Sequence, residues 1–160
     1  MISFNVDGSK FNYRVAGIFI DSENKRFLTN TARNIDFVVL PGGRVEMGES
    51  SMESLKREMV EELGVNITVV GLKAIIENFF NFDNYDYHEL QFVYVAKFDD
   101  KVIENHSEVF VGIEEKDLYE WFNFDELDKI NYKPEALRQS IKEALSGDMT
   151  FRHIIHKGNG

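Results

Sequence analysis

Seven stretches of the chain have the length and the β-branched and aromatic content that are typical of β-strands. Residues 87–98 also alternate apolar and polar positions, and a turn cluster at 21–24 separates the first two stretches, which predicts a hairpin. A polar loop is predicted over 99–116. The predicted strands cover residues 11–20, 26–31, 37–40, 67–82, 87–98, 118–122 and 151–156.

One helix is predicted between the third and fourth strands. Ser50 and Glu53 have the spacing of a capping box, and Gly64 is a suitable C-terminal stop. An apolar face follows from spacings of three and four, and it comprises Met52, Leu55, Met59 and Leu63. The tight turn expected just before this helix, at Pro41, Gly42 and Gly43, allows close or left-handed backbone geometry.

A second helix is predicted over residues 133–146. Pro134 is expected at its first helical position, apolar residues recur every four positions, and Gly147 ends it. The order of strands and helices indicates an α/β fold with a mixed sheet covered by helices.

Composition restricts the class of protein. A chain of 160 residues suits one domain over residues 1–160, and no apolar run is long enough for a membrane span. The formal net charge of −10 argues against binding a nucleic-acid polymer, and the absence of cysteine excludes thiolate chemistry and is compatible with a cytoplasmic location. A small phosphorylated partner remains compatible, because metal ions bridge acidic groups and anions. A homodimer is left open.

The predicted first helix carries an unusual acidic face. Glu58, Glu61 and Glu62 share one side of it, and like charges at this spacing repel one another. A hard divalent cation removes that repulsion, because Mg²⁺ prefers carboxylate oxygens. The alternative is a solvated acidic face, in which Arg57 pairs with Glu53 and Glu61.

The residues around this face favour the metal site. Gly43, five residues, Glu49, seven residues and then Arg57-Glu58-Met59-Val60-Glu61-Glu62-Leu63-Gly64-Val65 resemble the signature of the Nudix hydrolases. The resemblance implies the Nudix fold, an α/β/α sandwich. It also implies hydrolysis of a diphosphate linkage in a nucleoside diphosphate joined to another moiety, with Mg²⁺ or Mn²⁺ as cofactor.

The resemblance also implies roles for individual residues. Metal ligands are expected at Glu58, Glu61 and Glu62 and at the main chain of Gly43 or Gly42. A further acid precedes a tryptophan segment in several members. The segment matched here is Glu120-Trp121-Phe122-Asn123-Phe124-Asp125-Glu126-Leu127, which makes Glu115 the expected acid and Glu114 its substitute.

Catalytic roles are expected for Glu58, Arg57 and Glu49. Glu58 is either a ligand or the general base, and Arg57 is expected to pair with Glu49 and orient the carboxylates. Arg33 and Arg44 are candidates for phosphate contacts. Two other functions remain open: a pyrophosphohydrolase of non-nucleotide diphosphates and a non-catalytic domain that senses nucleotides.

Aromatic residues concentrate in the hairpin between residues 79 and 87. They are expected either to pack in the core or to form a wall against which a flat group stacks. Of the histidines, His88 is treated as structural rather than catalytic, and so are His153 and His156, which have no third ligand close to them in the sequence.

Overall fold

The computed structural model describes residues 1–158. Its two α-helices are α1, Ser51–Leu63, and α2, Arg138–Leu145. Short 3₁₀ helices cover Phe124–Lys129 and Glu135–Leu137. The strands are β1 (Ser3–Val6), β2 (Ser9–Asp21), β3 (Arg26–Ala32), β4 (Gly42–Arg44), β5 (Ile67–Phe82), β6 (Tyr85–Phe98), β7 (Phe110–Val111), β8 (Asp117–Asn123) and β9 (Arg152–Lys157).

The strands form a mixed sheet centred on β2. The main order is β7-β8-β3-β2-β6-β5-β9, and β1 and β4 also pair with β2. β2 runs parallel to β6 and β5 runs parallel to β9, whereas the other pairs are antiparallel. The mixed sheet predicted from the order of elements is therefore confirmed.

Alternate residues of β2 supply two separate apolar cores. Val15 and Phe19 pack with Leu55 and Met59 of α1, whereas Ile18 faces the cluster that contains the buried residues of α2. Successive side chains of a strand point to opposite faces, so one helix covers each face of the sheet. This is the α/β/α sandwich that the sequence implied.

Helix α1 begins and ends as predicted, but its apolar face is narrower. Ser50 accepts a hydrogen bond from the Glu53 N–H in a complete capping box, and Gly64 adopts φ 70°. Leu55 and Met59 are fully buried, but Met52 is exposed, so its assignment to the apolar face was wrong. The serines Ser51 and Ser54 are buried instead, which lets the helix lie close to the sheet.

The short third strand lies later than predicted. Residues 37–40 form only isolated bridges, through Val38 and Val39, and the strand paired with β2 is β4 itself. A glycine turn was expected there. Gly42 and Gly43 are instead extended residues of a strand, and neither has a positive φ.

Other differences concern the ends of the chain and the loops. The sequence analysis missed β1, whose residues are mostly exposed and only extend the sheet beside β2. β7 lies inside the stretch predicted as loop. α2 is shorter than predicted, since a 3₁₀ turn precedes it and Pro134 lies outside the α-helix. No helix within residues 1–158 is long and apolar enough to cross a membrane.

The hairpin formed by β5 and β6 extends beyond the ends of the neighbouring strands. It closes at Asp83 and Asn84, which both have positive φ, as a two-residue hairpin turn of the I′ type requires. Register shifts near Gly71 interrupt the pairing of β5 with β6. The end of the hairpin forms one wall of two neighbouring cavities.

Candidate active site

A cleft of about 660 Å³ opens where the C-terminal half of α1 meets β4. The acidic face of α1, together with Gly43 and Arg44, forms part of its lining. Residues of the loop before β8 and the tip of the long hairpin line other parts of the cleft. The cleft is therefore assembled from one helix and several distant segments.

Arg57 is the centre of the ionic network on this helix. Its Nε and Nη2 atoms donate to the two carboxylate oxygens of Glu49 at 3.0 and 2.7 Å. Its Nη1 donates to Glu58 and to Glu61, each at 3.1 Å, and its Nη2 also donates to the carbonyl of Arg44 at 3.2 Å. The predicted pair between Arg57 and Glu49 therefore forms, and the same guanidinium fixes β4 and two helix carboxylates.

Glu49 is held in place from two sides. Besides Arg57, the backbone N–H of Glu46 donates to its carboxylate at 2.9 Å. The Arg57 hydrogen bonds are the main reason that the pKa of Glu49 is lowered to about 2. Gly48, at φ 86°, supplies the left-handed residue that turns the chain into this position.

Glu58 and Glu62 form the inner part of the acidic face. Burial raises the pKa of Glu58, although Arg57 opposes that effect, and burial raises the pKa of Glu62 to about 7. The hydroxyl of Tyr119 on β8 donates to Glu62 at 2.6 Å, and the pKa of this tyrosine is itself raised, first by burial and then by the charge of Glu62. Two adjacent carboxylates are thus held partly away from water.

The two glycines of β4 are required for close approach rather than for turning. A Cβ atom on Gly43 would lie 2.2 Å from the carboxylate carbon of Glu58. A Cβ atom on Gly42 would lie 1.9 Å from the carbonyl oxygen of Val15. Both distances are far inside van der Waals contact. A larger residue at Gly42 would displace β4 from the backbone of β2, whereas a larger residue at Gly43 would push the Glu58 carboxylate aside.

The comparison with family models decides the classification. Residues 11–144 match the model described as the NUDIX domain. The chain belongs to the Nudix family. Hydrolysis of a phosphoric anhydride, predicted from the sequence, is the enzyme class that this membership supports.

Individual Nudix relatives show how far the likeness extends. An 8-oxo-dGTP diphosphatase from Buchnera aphidicola is 29% identical over 77% of this chain and 85% of the relative. An RNA pyrophosphohydrolase from Ruthia magnifica is 31% identical, over 45% of this chain and 40% of the relative. The crystal structure of a NUDIX hydrolase from Nitrosomonas europaea superposes with a TM-score of 0.65 at 18% identity, over 91% of this chain and 79% of that one.

Nudix hydrolases generally need divalent metal ions, and the donor set of this chain suits one. Glu58 and Glu62 offer adjacent carboxylates beside the backbone of Gly43, which is hard oxygen chemistry. Glu61 stands apart from them, since it is exposed and turns to Arg57. Within residues 1–158, no three acidic or histidine side chains are gathered as a ready metal cluster. The three expected carboxylates therefore do not form one cluster within this range.

Of the two acids expected before the tryptophan segment, the substitute Glu114 lines the Nudix cleft, together with Asp117, the first residue of β8. The exposed Glu115 is absent from the cleft lining and borders a small side cavity that Glu62 also lines. A hydrogen bond of 2.8 Å from the Ile113 N–H to the Glu62 carbonyl fixes the loop before β8 on the end of α1. Asp117 has its pKa raised, mainly by burial.

The structure places the two predicted arginines differently. Arg44 lines the cleft, but the Nε of Arg33 donates to the carbonyl of Glu115 at 3.0 Å and its side chain is absent from the cleft lining. Arg14 on β2, rather than Arg33, lines the cleft together with Arg44. Sequence reasoning missed Arg14, Asp117 and Tyr119, because no local motif surrounds them and only the pairing of strands brings them to α1.

The aromatic hairpin divides its side chains between two faces. Phe80 and Phe82 line a cavity next to the cleft, while Phe79 packs on the other face against His88, with 4.4 Å between ring centroids. His88 also meets Phe11 edge to face, which agrees with its expected structural role. The contact between Phe79 and His88 lies outside both apolar cores, since Phe79 is half-buried and His88 is exposed. Phe80 and Phe82 line the cavity, and the stacking of a flat group against them stays a prediction.

Proposed function

We propose that this enzyme hydrolyses the diphosphate linkage of a nucleoside diphosphate joined to another moiety, with Mg²⁺ or Mn²⁺ as its cofactor, and that residues 1–160 act as one domain. The observation that carries the proposal is the pairing of Glu58 and Glu62 at the floor of the cleft, within the Arg57 network. Two half-buried, adjacent carboxylates are unfavourable on their own and suit a cation bound with an anionic substrate.

Two relatives support the nucleotide part of the proposal. One is named a diphosphatase of a modified deoxynucleoside triphosphate and the other a pyrophosphohydrolase of RNA, so both names describe phosphoric anhydrides attached to nucleosides. The cleft has room for such a chain of phosphates, and Arg44 and Arg14 lie on its lining as cations for the phosphoryl oxygens.

The roles of the acidic residues follow from their positions. Glu58, Glu61, Glu62 and the main chain of Gly43 would hold the cation. When bound, the cation supplies Lewis acidity, which lowers the pKa of water and offsets charge on the phosphoryl oxygens. Glu49 and Arg57 orient the carboxylates, because Arg57 joins Glu49, Glu58 and Glu61 in one network.

In the reaction, water attacks phosphorus, the bridging P–O bond breaks and the departing phosphate carries its electron pair away. The water must lose a proton as the new P–O bond forms. Glu58 accepts that proton if it is not wholly used as a ligand, and Asp117 and Glu114 at the edge of the cleft are the reserve bases. Arg44 and Arg14 orient the phosphates for attack.

The cation requirement is tested with protein stripped by EDTA. Phosphate or nucleotide release from a panel of nucleoside triphosphates and nucleotide sugars is expected to be absent in EDTA and restored by Mg²⁺ or Mn²⁺. Full turnover by the stripped protein would overturn the proposed cofactor. Hydrolysis confined to non-nucleotide diphosphates would overturn the proposed substrate class and leave the cofactor standing.

A further inference from the structure

A second cavity, of about 320 Å³, lies directly beside the cleft. Arg14, Phe37, Val39 and Phe82 line both spaces, so a ligand whose phosphates occupy the cleft can extend into this cavity without leaving the protein. Ligand pockets commonly measure about 300–1,000 Å³. This one is at the small end of that range and suits a single small group.

The floor of the cavity is polar although it belongs to a buried sheet face. Asn78, Glu89 and Gln91 line it, with exposed fractions of 5%, 8% and 5%. Glu89 lies opposite Asn78 in the pairing of β5 with β6, and Gln91 is two residues further along the same face of β6. Val93, two residues beyond Gln91 on the same face of β6, belongs to the apolar core beneath α2, so the polar part of this face ends at Gln91.

Two of these buried polar groups have no protein partner. Asn78 accepts a hydrogen bond from Nδ1 of His156 at 2.8 Å. Glu89 and Gln91 make no side-chain hydrogen bond or ion pair with any residue of the described range 1–158. Their polar atoms open onto the cavity, because the sealed polar side-chain atoms without a partner in the described chain belong to Tyr132 and Ser140. A carboxylate and an amide that face the same cavity without a protein partner are therefore free to pair with a bound group.

We propose that this cavity binds the base of the nucleotide and selects guanine-type bases, with Glu89 as the specificity-determining residue. A carboxylate only accepts hydrogen bonds, and its two oxygens match two neighbouring N–H donors. The N1–H and 2-amino groups of guanine form such a pair, and the amide of Gln91 can donate to the adjacent O6. Adenine and cytosine each place an acceptor next to their amino group, so neither supplies two donors side by side.

The walls of the cavity suit a flat ring. Phe37 and Phe82 meet edge to face, 6.4 Å apart, where the cavity joins the cleft, and Phe80 is supported from behind by stacking on Tyr87 at 4.9 Å. Phe82 is 44% exposed at the tip of the hairpin, so an apolar face is available to an entering base. Stacking on such rings favours every base about equally, which leaves selection to the polar floor.

The inference rests on the proposed function, because it assumes that the phosphates of the same ligand occupy the cleft. Two measurements separate the two ideas. The first compares kcat/KM for GTP, ITP and ATP with Mg²⁺, since ITP lacks only the 2-amino group and ATP lacks both donors. The second measures binding of guanosine and adenosine by calorimetry in EDTA, which involves neither phosphate nor metal.

Wild-type protein is expected to prefer GTP to ITP and ITP to ATP, by about tenfold or more at each lost hydrogen bond. Glu89→Gln should lower kcat/KM for GTP by about tenfold or more and leave ATP within about twofold. Glu77→Gln is the matched control, because Glu77 lies on the neighbouring strand, pairs with His153 and is absent from the cavity lining. It should leave the order of substrates unchanged.

Equal kcat/KM for the three nucleotides together with equal binding of guanosine and adenosine would overturn the inference and leave the hydrolase intact. Preferential binding of guanosine without release of phosphate from any nucleotide would support the inference and count against the proposed function. If Glu89→Gln fails to fold, the comparison of GTP with ITP on wild-type protein still decides, because it requires no variant.

Discussion

The cleft and the cavity beside it both contain acidic side chains that are partly or largely shielded from water. The protein supplies hydrogen-bond partners to the acids of the cleft but not to the acid of the cavity. In the cleft, Arg57 joins Glu49, Glu58 and Glu61 in one network, and Tyr119 donates to Glu62. In the cavity, Glu89 has no hydrogen-bond or ion-pair partner within the described chain. The cleft is thus prearranged by the protein, whereas the cavity leaves its recognition groups to be satisfied by a ligand.

This difference has a physical reason. The cleft must hold several like charges together before any substrate arrives, so it needs a central cation of its own, and Arg57 supplies it. The cavity must distinguish one flat group from another, and discrimination is greatest when the wrong ligand leaves a buried polar group unpaired. A partner within the protein would satisfy Glu89 and remove that penalty.

The largest expected effect comes from Glu62→Gln. Its kcat should fall by roughly 10²-fold or more at saturating Mg²⁺, because an anionic oxygen on the floor of the cleft is lost. The metal-free protein should be at least as stable as wild type at pH 7.5. Burial raises the pKa of Glu62 to about 7, so at pH 7.5 the folded wild-type protein contains a carboxylate whose ionisation burial opposes, and this lowers its stability. Glutamine removes that charge and still accepts the hydrogen bond from Tyr119.

The measurement pairs kcat with a thermal melt in EDTA. A variant that keeps nearly wild-type kcat on its best substrate would show that α1 is only a solvated acidic face. A large fall in Tm with normal kcat would mean that Glu62 serves folding rather than catalysis.

A smaller effect on rate should distinguish Asp117, the first residue of β8, from Glu115 in the loop before it. Asp117→Asn is expected to lower kcat/KM by about tenfold, because Asp117 lines the cleft and is partly buried. Glu115→Gln is its control and should stay within about twofold, since this side chain is exposed and its carbonyl, which is unchanged, receives the bond from Arg33. The opposite ranking in steady-state kinetics would restore the role predicted for Glu115.

The smallest effect on rate is expected from Glu143→Gln, on the face of the sheet that α2 covers. Glu143 binds both Lys73, which is fully buried, and Arg152, and these contacts lower its pKa to about 2. Because the pKa of Glu143 is lower in the folded state than its ordinary value of 4.5, its ionised form stabilises the folded protein at pH values above 4.5. This stabilisation is lost as the pH falls toward 2. The variant should therefore melt several degrees lower than wild type at pH 7 and nearly together with it close to pH 2, with kcat within about twofold.

Melts across pH 2–7 check this expectation, with Glu77→Gln as a half-buried control on the same sheet. A constant difference in Tm at all pH values would show that the ion pair is not the source of the stabilisation. A large loss of kcat would show that the face covered by α2 is coupled to the cleft.

Features that depend on neighbouring residues were predictable from the sequence alone. The capping box of Ser50 and Glu53, the stop at Gly64, the acidic face of α1 and its Arg57–Glu49 pair all lie within some twenty residues, and the structure contains each of them. Alternation of apolar and polar residues over 87–98 likewise predicted β6, because successive side chains of a strand point to opposite faces, and β-branched and aromatic content predicted the other long strands. The Nudix classification followed from that same short stretch.

The residues that lie opposite the helix depend on long-range strand pairing. Asp117 and Arg14 reach the cleft, and Tyr119 reaches Glu62, because β8 and β2 pair with β3 in one sheet, and sequence spacing carries no record of such pairing. Glu89 and Gln91 resemble ordinary polar positions of an alternating strand. They line a cavity only because the sheet, the hairpin and residues 37–40 come together around them, and a cavity is a property of the assembled layers and not of any single strand.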